Sequence, residues 1–149
     1  MHKQSYDRIV KARMTLLMDH PFFGMIVMQL KPVECNYIPT MATDGKYLFY
    51  NPLFVMEMSE VFLIGIVAHE AHHCTYRHHL RMGNRDLTRW NIATDYIINY
   101  DLRQAGFKLP DWVLYDNQYA GCSAEEVYNL LPKPPKQPKP QPGKGGQPS

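Results

Sequence analysis

The spacing of apolar residues divides the start of the chain into two segments of different character. Apolar residues recur at helical spacing over 5–18, and His20 and Pro21 end this pattern. The run that follows, over 22–30, is almost continuously apolar, which is typical of a buried strand. We therefore predict a helix over 5–18 and a strand over 22–30.

A β-hairpin and a short helix are predicted next. The segments 37–43 and 46–50 are rich in strand-forming residues and are separated by Asp44 and Gly45, a favoured two-residue turn. Asn51 follows and is suited to cap a short helix whose first residue is a proline.

Three longer helical patterns complete the folded part, over 59–81, 88–104 and 124–131. Ser59 is suited to cap the first of them, and Gly106 to follow the end of the second. A capping box opens the third. A helix, a hairpin and then a run of helices predict an α+β fold, with a small sheet packed on a helical core.

The last eighteen residues differ from the rest in composition. Residues 132–149 hold seven of the twelve prolines and no other hydrophobic residue, so they cannot contribute to a core. We predict one domain over 1–131 and a disordered Pro/Lys/Gly-rich tail over 132–149. The tail is interpreted as a linker or solubilising segment, and a polyproline docking ligand is the alternative.

Charge and cysteine content narrow the function classes. The four lysines of the tail carry more positive charge than the net charge of +2, so the domain itself is not basic. Nucleic-acid binding is therefore not expected. The three cysteines form no C-x-x-C pair, which argues against a disulfide framework and favours a reducing cytoplasm. No apolar run approaches the ~20 residues that a membrane span needs, so we predict neither a signal peptide nor a membrane anchor.

The strongest chemical signal lies in the predicted helix over 59–81. His69, Glu70 and His73 satisfy the pattern H-E-x-x-H. Residues four apart on a helix lie one turn above each other, so both imidazoles can bind one zinc ion. Glu70 is turned by about 100° from His69, which suits it to take a proton from a metal-bound water.

The surroundings of the motif favour a site over an accident of sequence. His69 and His73 belong to an apolar stripe of the helix, where polar side chains need partners. Gly65 precedes His69 by about one turn, and its low helix propensity indicates close approach of another element. The alternative is a pair of core histidines bonded to backbone carbonyls. His72 is predicted either to support the site from the side or to be exposed. His78 and His79 are predicted to be ordinary surface residues.

Asp95 is the best candidate for a third zinc ligand. It lies on the next predicted helix, which can fold back antiparallel to the histidine helix. Asn91 and Asn99 lie on the same, largely apolar, face of that helix. A carboxylate on such a face needs a strong partner, and the two asparagines could orient it. A structural salt bridge to Arg77, Arg81 or another cation is the alternative. Asp101, on a different side of the helix, is the weaker candidate.

A peptidase also needs a hydrogen-bond donor for the developing oxyanion. Four tyrosines could supply it, and the sequence does not choose among Tyr76, Tyr96, Tyr115 and Tyr119.

The chain resembles a known family, the predicted metallopeptidase domain that precedes a von Willebrand factor A-like domain in bacterial proteins. The resemblance runs through most of 40–131 and is carried by four segments in order. These segments are TDGKYLFYNP (43–52), VAHEAHH (67–73), WNIATDYIIN (90–99) and LYDNQYAG (114–121), which leads into SAEEVY (123–128).

The resemblance implies a zincin-like fold with His69 and His73 as zinc ligands, Glu70 as the catalytic residue and Asp95 within the second motif. It also implies a peptide or protein substrate and a von Willebrand factor A-like partner. It further suggests that the strand over 46–50 is an edge that could pair with an extended substrate, and an ordinary core hairpin is the alternative.

We therefore expect a zinc-dependent metallopeptidase. A non-catalytic, zinc-stabilised interaction domain is the alternative from a different class. A metal-dependent hydrolase of a non-peptide substrate is a third hypothesis, because water activation does not depend on the bond attacked.

Overall fold

The computed structural model of the chain describes residues 2–132 as an α+β arrangement of seven helices and three strands. The predicted tail over 132–149 lies outside the described residues except for Pro132. The helices are α1 Lys3–Asp19, α2 Pro21–Met28, α3 Pro52–Glu57, α4 Glu60–Tyr76, α5 His78–Arg81, α6 Leu87–Gln104 and α7 Ala124–Leu130. The strands are β1 Lys31–Glu34, β2 Met41–Thr43 and β3 Tyr47–Tyr50, and a single 3-10 turn covers Asn117–Tyr119.

The predicted strand over 22–30 is wrong, because this segment forms α2. Pro21 occupies the first turn, where its missing N–H costs nothing. Gly24 allows α2 to cross α1 closely, since a Cβ at this position would lie 2.3 Å from the Leu17 Cα. A continuous apolar run has no polar positions that distinguish a helical period from a strand period. Here the segment packs on α1 as a helix.

The hairpin prediction is confirmed for its two strands, while its turn is longer than predicted. Strand β2 ends at Thr43 and β3 begins at Tyr47, so three residues rather than two connect these antiparallel strands. Asp44 closes the loop by accepting hydrogen bonds from the backbone N–H groups of Lys46 and Tyr47, at 2.9 and 2.8 Å. A third strand, β1, was not predicted and pairs with β3 in parallel.

The sheet order is β1-β3-β2, which corrects the expectation for the strand over 46–50. That strand corresponds to β3, which lies in the middle of the sheet and is paired on both sides. The strand β2 is an edge instead, and it packs against α4.

Helix α4 is central to the fold, as predicted, because it packs against α1, α2, α6 and β2. Ser59 caps it, with its hydroxyl accepting from the Phe62 N–H at 3.2 Å. Gly65 permits the predicted close approach, because a Cβ there would lie 2.5 Å from the Lys108 carbonyl oxygen. None of the helices in the described part of the chain has the length and apolar character to cross a membrane.

The predicted helix over 59–81 is broken at Arg77, which adopts a left-handed conformation with φ of 54°. Helix α4 therefore ends at Tyr76, and the single turn α5 continues in a new direction. Helix α6 forms as predicted and is capped by Asp86. It returns alongside α4, so the two helices share the core residues that surround the histidines.

Candidate metal centre

Three residues of α4 form a buried cluster of potential metal ligands. His69, Glu70 and His73 each have less than a tenth of their surface exposed. One ring nitrogen of each histidine and a carboxylate oxygen of Glu70 lie within 4.8 Å of one another. The two rings are packed edge to face at 4.7 Å, as expected for residues one helical turn apart.

Helix α6 brings Asp95 to this pair of histidines. The Asp95 Oδ1 atom lies 3.1 Å from His69 Nε2 and 3.2 Å from His73 Nε2, and the two Nε2 atoms are 3.1 Å apart. These atoms form a nearly equilateral triangle. The polar partners of Asp95 in the structure are these two histidines, and Arg81, one of the cations considered as its partner, binds Glu125.

Asn99 fixes the orientation of the His69 ring through Nδ1, the ring nitrogen that is not part of the triangle. The Asn99 amide nitrogen donates to the Leu114 carbonyl oxygen at 2.7 Å, which turns the amide oxygen towards His69 Nδ1 at 2.8 Å. This oxygen can only accept, so neutral His69 carries its proton on Nδ1. Its Nε2 then presents a lone pair to the triangle. Asn99 thus holds His69 rather than Asp95, and Asn91 makes no side-chain hydrogen bond within the described residues.

The triangle fits a bound cation by its chemistry and its size. Two atoms that each carry a lone pair, His69 Nε2 and Asp95 Oδ1, face each other at 3.1 Å, a distance that favours a positive charge between them. Zinc binds nitrogen and carboxylate oxygen at roughly 2.0–2.2 Å, so tetrahedral ligands lie about 3.4 Å apart. The three observed separations come within about 0.3 Å of this spacing.

Burial sets the charge state of this cluster. Burial lowers the pKa of His73 to about 4, so its imidazole is neutral near pH 7, which is the form that binds metal. Burial opposes ionisation of Asp95, but its close contacts with the imidazoles of His69 and His73 outweigh burial and lower the pKa of this carboxyl. The centre therefore combines a carboxylate with a neutral imidazole.

Asp101 belongs to a separate polar group next to the centre. Its Oδ2 lies 3.0 Å from His72 Nε2 and accepts a short hydrogen bond from the Tyr76 hydroxyl. His72 is buried and packs edge to face on Phe23. Asp101 thus faces away from the triangle, in agreement with its weaker rank as a ligand candidate.

The prediction that His78 is a surface residue is wrong. Only 3% of His78 is exposed, and its Nδ1 lies 3.1 Å from His73 Nδ1. The break at Arg77 moves this side chain, and no glycine marks the break in the sequence. The neighbouring His79 is exposed, as predicted.

None of the four tyrosines considered as oxyanion donors lines the cleft described below. The Tyr76 hydroxyl is bonded to Asp101, and the Tyr115 hydroxyl donates to Asn117 Oδ1 at 2.7 Å. The rings of Tyr96 and Tyr119 pack on each other at 4.9 Å.

A cleft of about 490 Å³, partly open to solvent, leads to the centre. Its polar part includes His69, Glu70 and Asp95, together with Thr40 at the start of the edge strand β2 and Asn99. Its remaining walls are apolar and are formed by Met41, Phe54, Ile66, Trp112, Val113 and Leu114. A cleft that is largely apolar and has a few convergent polar groups is typical of a binding site for a small molecule or a side chain.

Comparison with known proteins gives one match. A family model described as "Putative metallopeptidase domain" matches residues 4–148, nearly the whole chain. No curated protein and no solved structure matches the chain.

Proposed function

The chain belongs to the family described as a putative metallopeptidase domain, and from this premise we propose that it is a zinc-dependent peptidase with a zincin-like fold. The observation that carries the proposal is the triangle of His69, His73 and Asp95 beside the buried carboxylate of Glu70. We assign the first three as zinc ligands and Glu70 as the general base.

The assignment of Asp95, rather than Glu70, as the third ligand rests on distance and on position. The Asp95 oxygen lies within 3.2 Å of both Nε2 atoms, and a Glu70 oxygen lies within 4.8 Å of a ring nitrogen of each histidine. Glu70 lies beside the histidines and lines the cleft from which a substrate would arrive. A ligand set of two histidines and one carboxylate leaves one zinc position for water, which is the composition of catalytic sites.

A zinc ion held by His69, His73 and Asp95 would lower the pKa of the attacking water and polarise the scissile carbonyl. Glu70 would accept a proton from the attacking water and deliver it to the leaving amine. Asn99 keeps the His69 Nε2 lone pair directed at the centre. The apolar wall around Phe54 and Trp112 favours an apolar side chain next to the scissile bond. The edge strand β2 offers backbone groups for an extended peptide.

Two variants of the full chain test this proposal. Purified wild-type protein should carry one zinc ion per chain and hydrolyse an unfolded protein such as casein, and His69→Ala should lose both properties. Glu70→Gln should keep the zinc and lose turnover. Glu57→Gln, an exposed carboxylate on α3, is the matched control and should behave as wild type. A wild-type protein that takes up no zinc would refute the proposal.

The same experiments separate the alternatives. A non-catalytic zinc-stabilised domain would unfold on zinc removal, while Glu70→Gln would leave partner binding intact. A hydrolase of another substrate class would show turnover in a panel of ester and phosphate substrates but not with peptides. Within a peptide panel, we expect apolar residues next to the cleaved bond to be preferred over charged ones.

Two further proposals concern the cellular context. The three cysteines, all free thiols, support a reducing location such as the cytoplasm. A von Willebrand factor A-like domain is proposed as a partner on the family resemblance, and co-purification of the two domains tests it.

A further inference from the structure

His78 makes its only side-chain hydrogen bond within the described residues to His73. The two Nδ1 atoms lie 3.1 Å apart, while the opposite nitrogen of His73 points to Asp95 and His69. The other ring nitrogen of His78, Nε2, is buried and has no hydrogen-bond partner among these residues. Among the described residues, the His78 ring is therefore hydrogen-bonded to His73 alone.

The left-handed residue Arg77 creates this contact. Residues five apart on a continuous helix point about 140° away from each other, so His73 and His78 could not meet on one. The φ of 54° at Arg77 ends α4 and turns the chain back, which places His78 over the outer side of the His73 ring. Arg77 has the only positive φ of a non-glycine residue within the described part of the chain. Such conformations are uncommon and are concentrated at functional sites.

The His78 ring is held rigidly. The Tyr76 ring stacks on it at 4.9 Å and 9°, and Trp90 packs against its edge at 6.0 Å. The Trp90 indole N–H also donates to the His78 backbone carbonyl oxygen at 2.9 Å, which anchors the turn itself. A ring fixed on these sides provides a defined partner for His73.

Only one of two facing ring nitrogens can carry the proton of their hydrogen bond. If His78 Nδ1 were the donor, neutral His73 would have its own proton on Nε2, where it would block metal binding. If His73 Nδ1 is the donor, its Nε2 lone pair faces the triangle. We propose that His78 is a positioning residue for the metal centre, and that its Nδ1 accepts the His73 N–H and keeps His73 Nε2 directed at the metal. This inference rests on the zinc binding proposed above.

Two substitutions of similar shape test the acceptor. In His78→Asn the amide oxygen occupies the position of Nδ1, because both atoms are bonded to Cγ, so the acceptor is kept. In His78→Leu the acceptor is lost. Loss of an outer hydrogen-bond partner of a metal ligand weakens metal binding by about 10–100-fold, and we expect this for His78→Leu. The asparagine variant should bind Zn²⁺ at least about tenfold more tightly than the leucine variant.

Zn²⁺ affinity is measured by competition with a chelator, on the full chain. His79→Asn is the matched control, because His79 is adjacent and exposed, and its affinity should equal that of wild type. Equal affinities for wild type, His78→Leu and His78→Asn would overturn the inference. Equal weakening in the leucine and asparagine variants would also overturn it, because packing rather than the acceptor would then be responsible.

A measurement on the wild type needs no variant to fold. In the zinc-loaded protein, ¹⁵N NMR of the imidazoles should show a protonated Nδ1 in His73 and an unprotonated Nδ1 in His78. A proton on His78 Nδ1, or zinc on His73 Nδ1, would overturn the inference. Failure of the proposed function is distinct, because it appears as absence of zinc or of turnover in the wild type.

Discussion

Replacing Asn99 with leucine removes one buried and one partly buried hydrogen bond with a single change of similar volume. The amide accepts from His69 Nδ1 at 2.8 Å and donates to the Leu114 carbonyl oxygen at 2.7 Å. A buried group left without a partner costs about 1–3 kcal/mol, and a partly buried group costs less. The variant should therefore lower the free energy of unfolding of the metal-free protein by about 1–4 kcal/mol.

The same variant should also weaken zinc binding, because the His69 ring loses the bond that fixes its proton on Nδ1. The expected loss of about 10–100-fold in affinity corresponds to about 1.4–2.7 kcal/mol. Urea unfolding of the chelated protein measures the first effect, and chelator competition measures the second. Asn91→Leu is the control on the same helix, because the Asn91 side chain makes no hydrogen bond within the described residues, and we expect a change within about 0.5 kcal/mol.

Asn99→Asp separates the two hydrogen bonds. A carboxylate still accepts from His69 Nδ1, and it does so more strongly than an amide, but it cannot donate to the Leu114 carbonyl. This variant should bind zinc at least as tightly as wild type while its metal-free form is less stable. Wild-type zinc affinity in Asn99→Leu, or equal weakening in the leucine and aspartate variants, would refute the role given to Asn99.

Three further predictions concern the ligand set, the packing of α4 and the metal itself. Asp95→Asn keeps the shape of the proposed third ligand but removes its charge. It should weaken zinc binding by at least about tenfold in chelator competition. Unchanged affinity would exclude Asp95 as a ligand. Gly65→Ala should lower the free energy of unfolding, measured in urea, by up to about 2 kcal/mol. Overpacking against the Lys108 backbone costs about 1–3 kcal/mol, which outweighs the gain of about 1 kcal/mol in helix propensity. A variant more stable than wild type would contradict this packing. Free zinc at 100 times its Kd stabilises by about 2.7 kcal/mol, so chelation should lower Tm by roughly 5–10 °C in wild type and not in His69→Ala.

The parts of the structure that could be predicted are those with local signals. Ser59, Asn51 and Ser123 cap their helices as expected, because the capping hydrogen bond joins residues two or three apart in sequence. The sequence places Asp95 on an apolar face of the next helix. This helix, α6, packs along α4, which brings the Asp95 carboxylate to the two histidines.

The parts that could not be predicted depend on long-range contacts or on conformations without a sequence signal. The segment over 22–30 has no polar positions, so only its packing on α1 shows that it is a helix. Asn99 was expected to hold Asp95 but holds His69, because its orientation depends on a backbone oxygen of Leu114, fifteen residues away. A backbone carbonyl has no signature in sequence.

The left-handed turn at Arg77 makes the length of the segment 74–77 critical, while leaving the side chain of Arg77 itself open to change. Arg77 is exposed, and a glycine would adopt its backbone conformation without strain, so this substitution should be tolerated. One inserted residue within 74–76 would rotate the turn by about 100° and carry His78 away from His73. The segment therefore acts as a spacer of fixed length, in which an insertion or deletion is more damaging than replacement of Arg77.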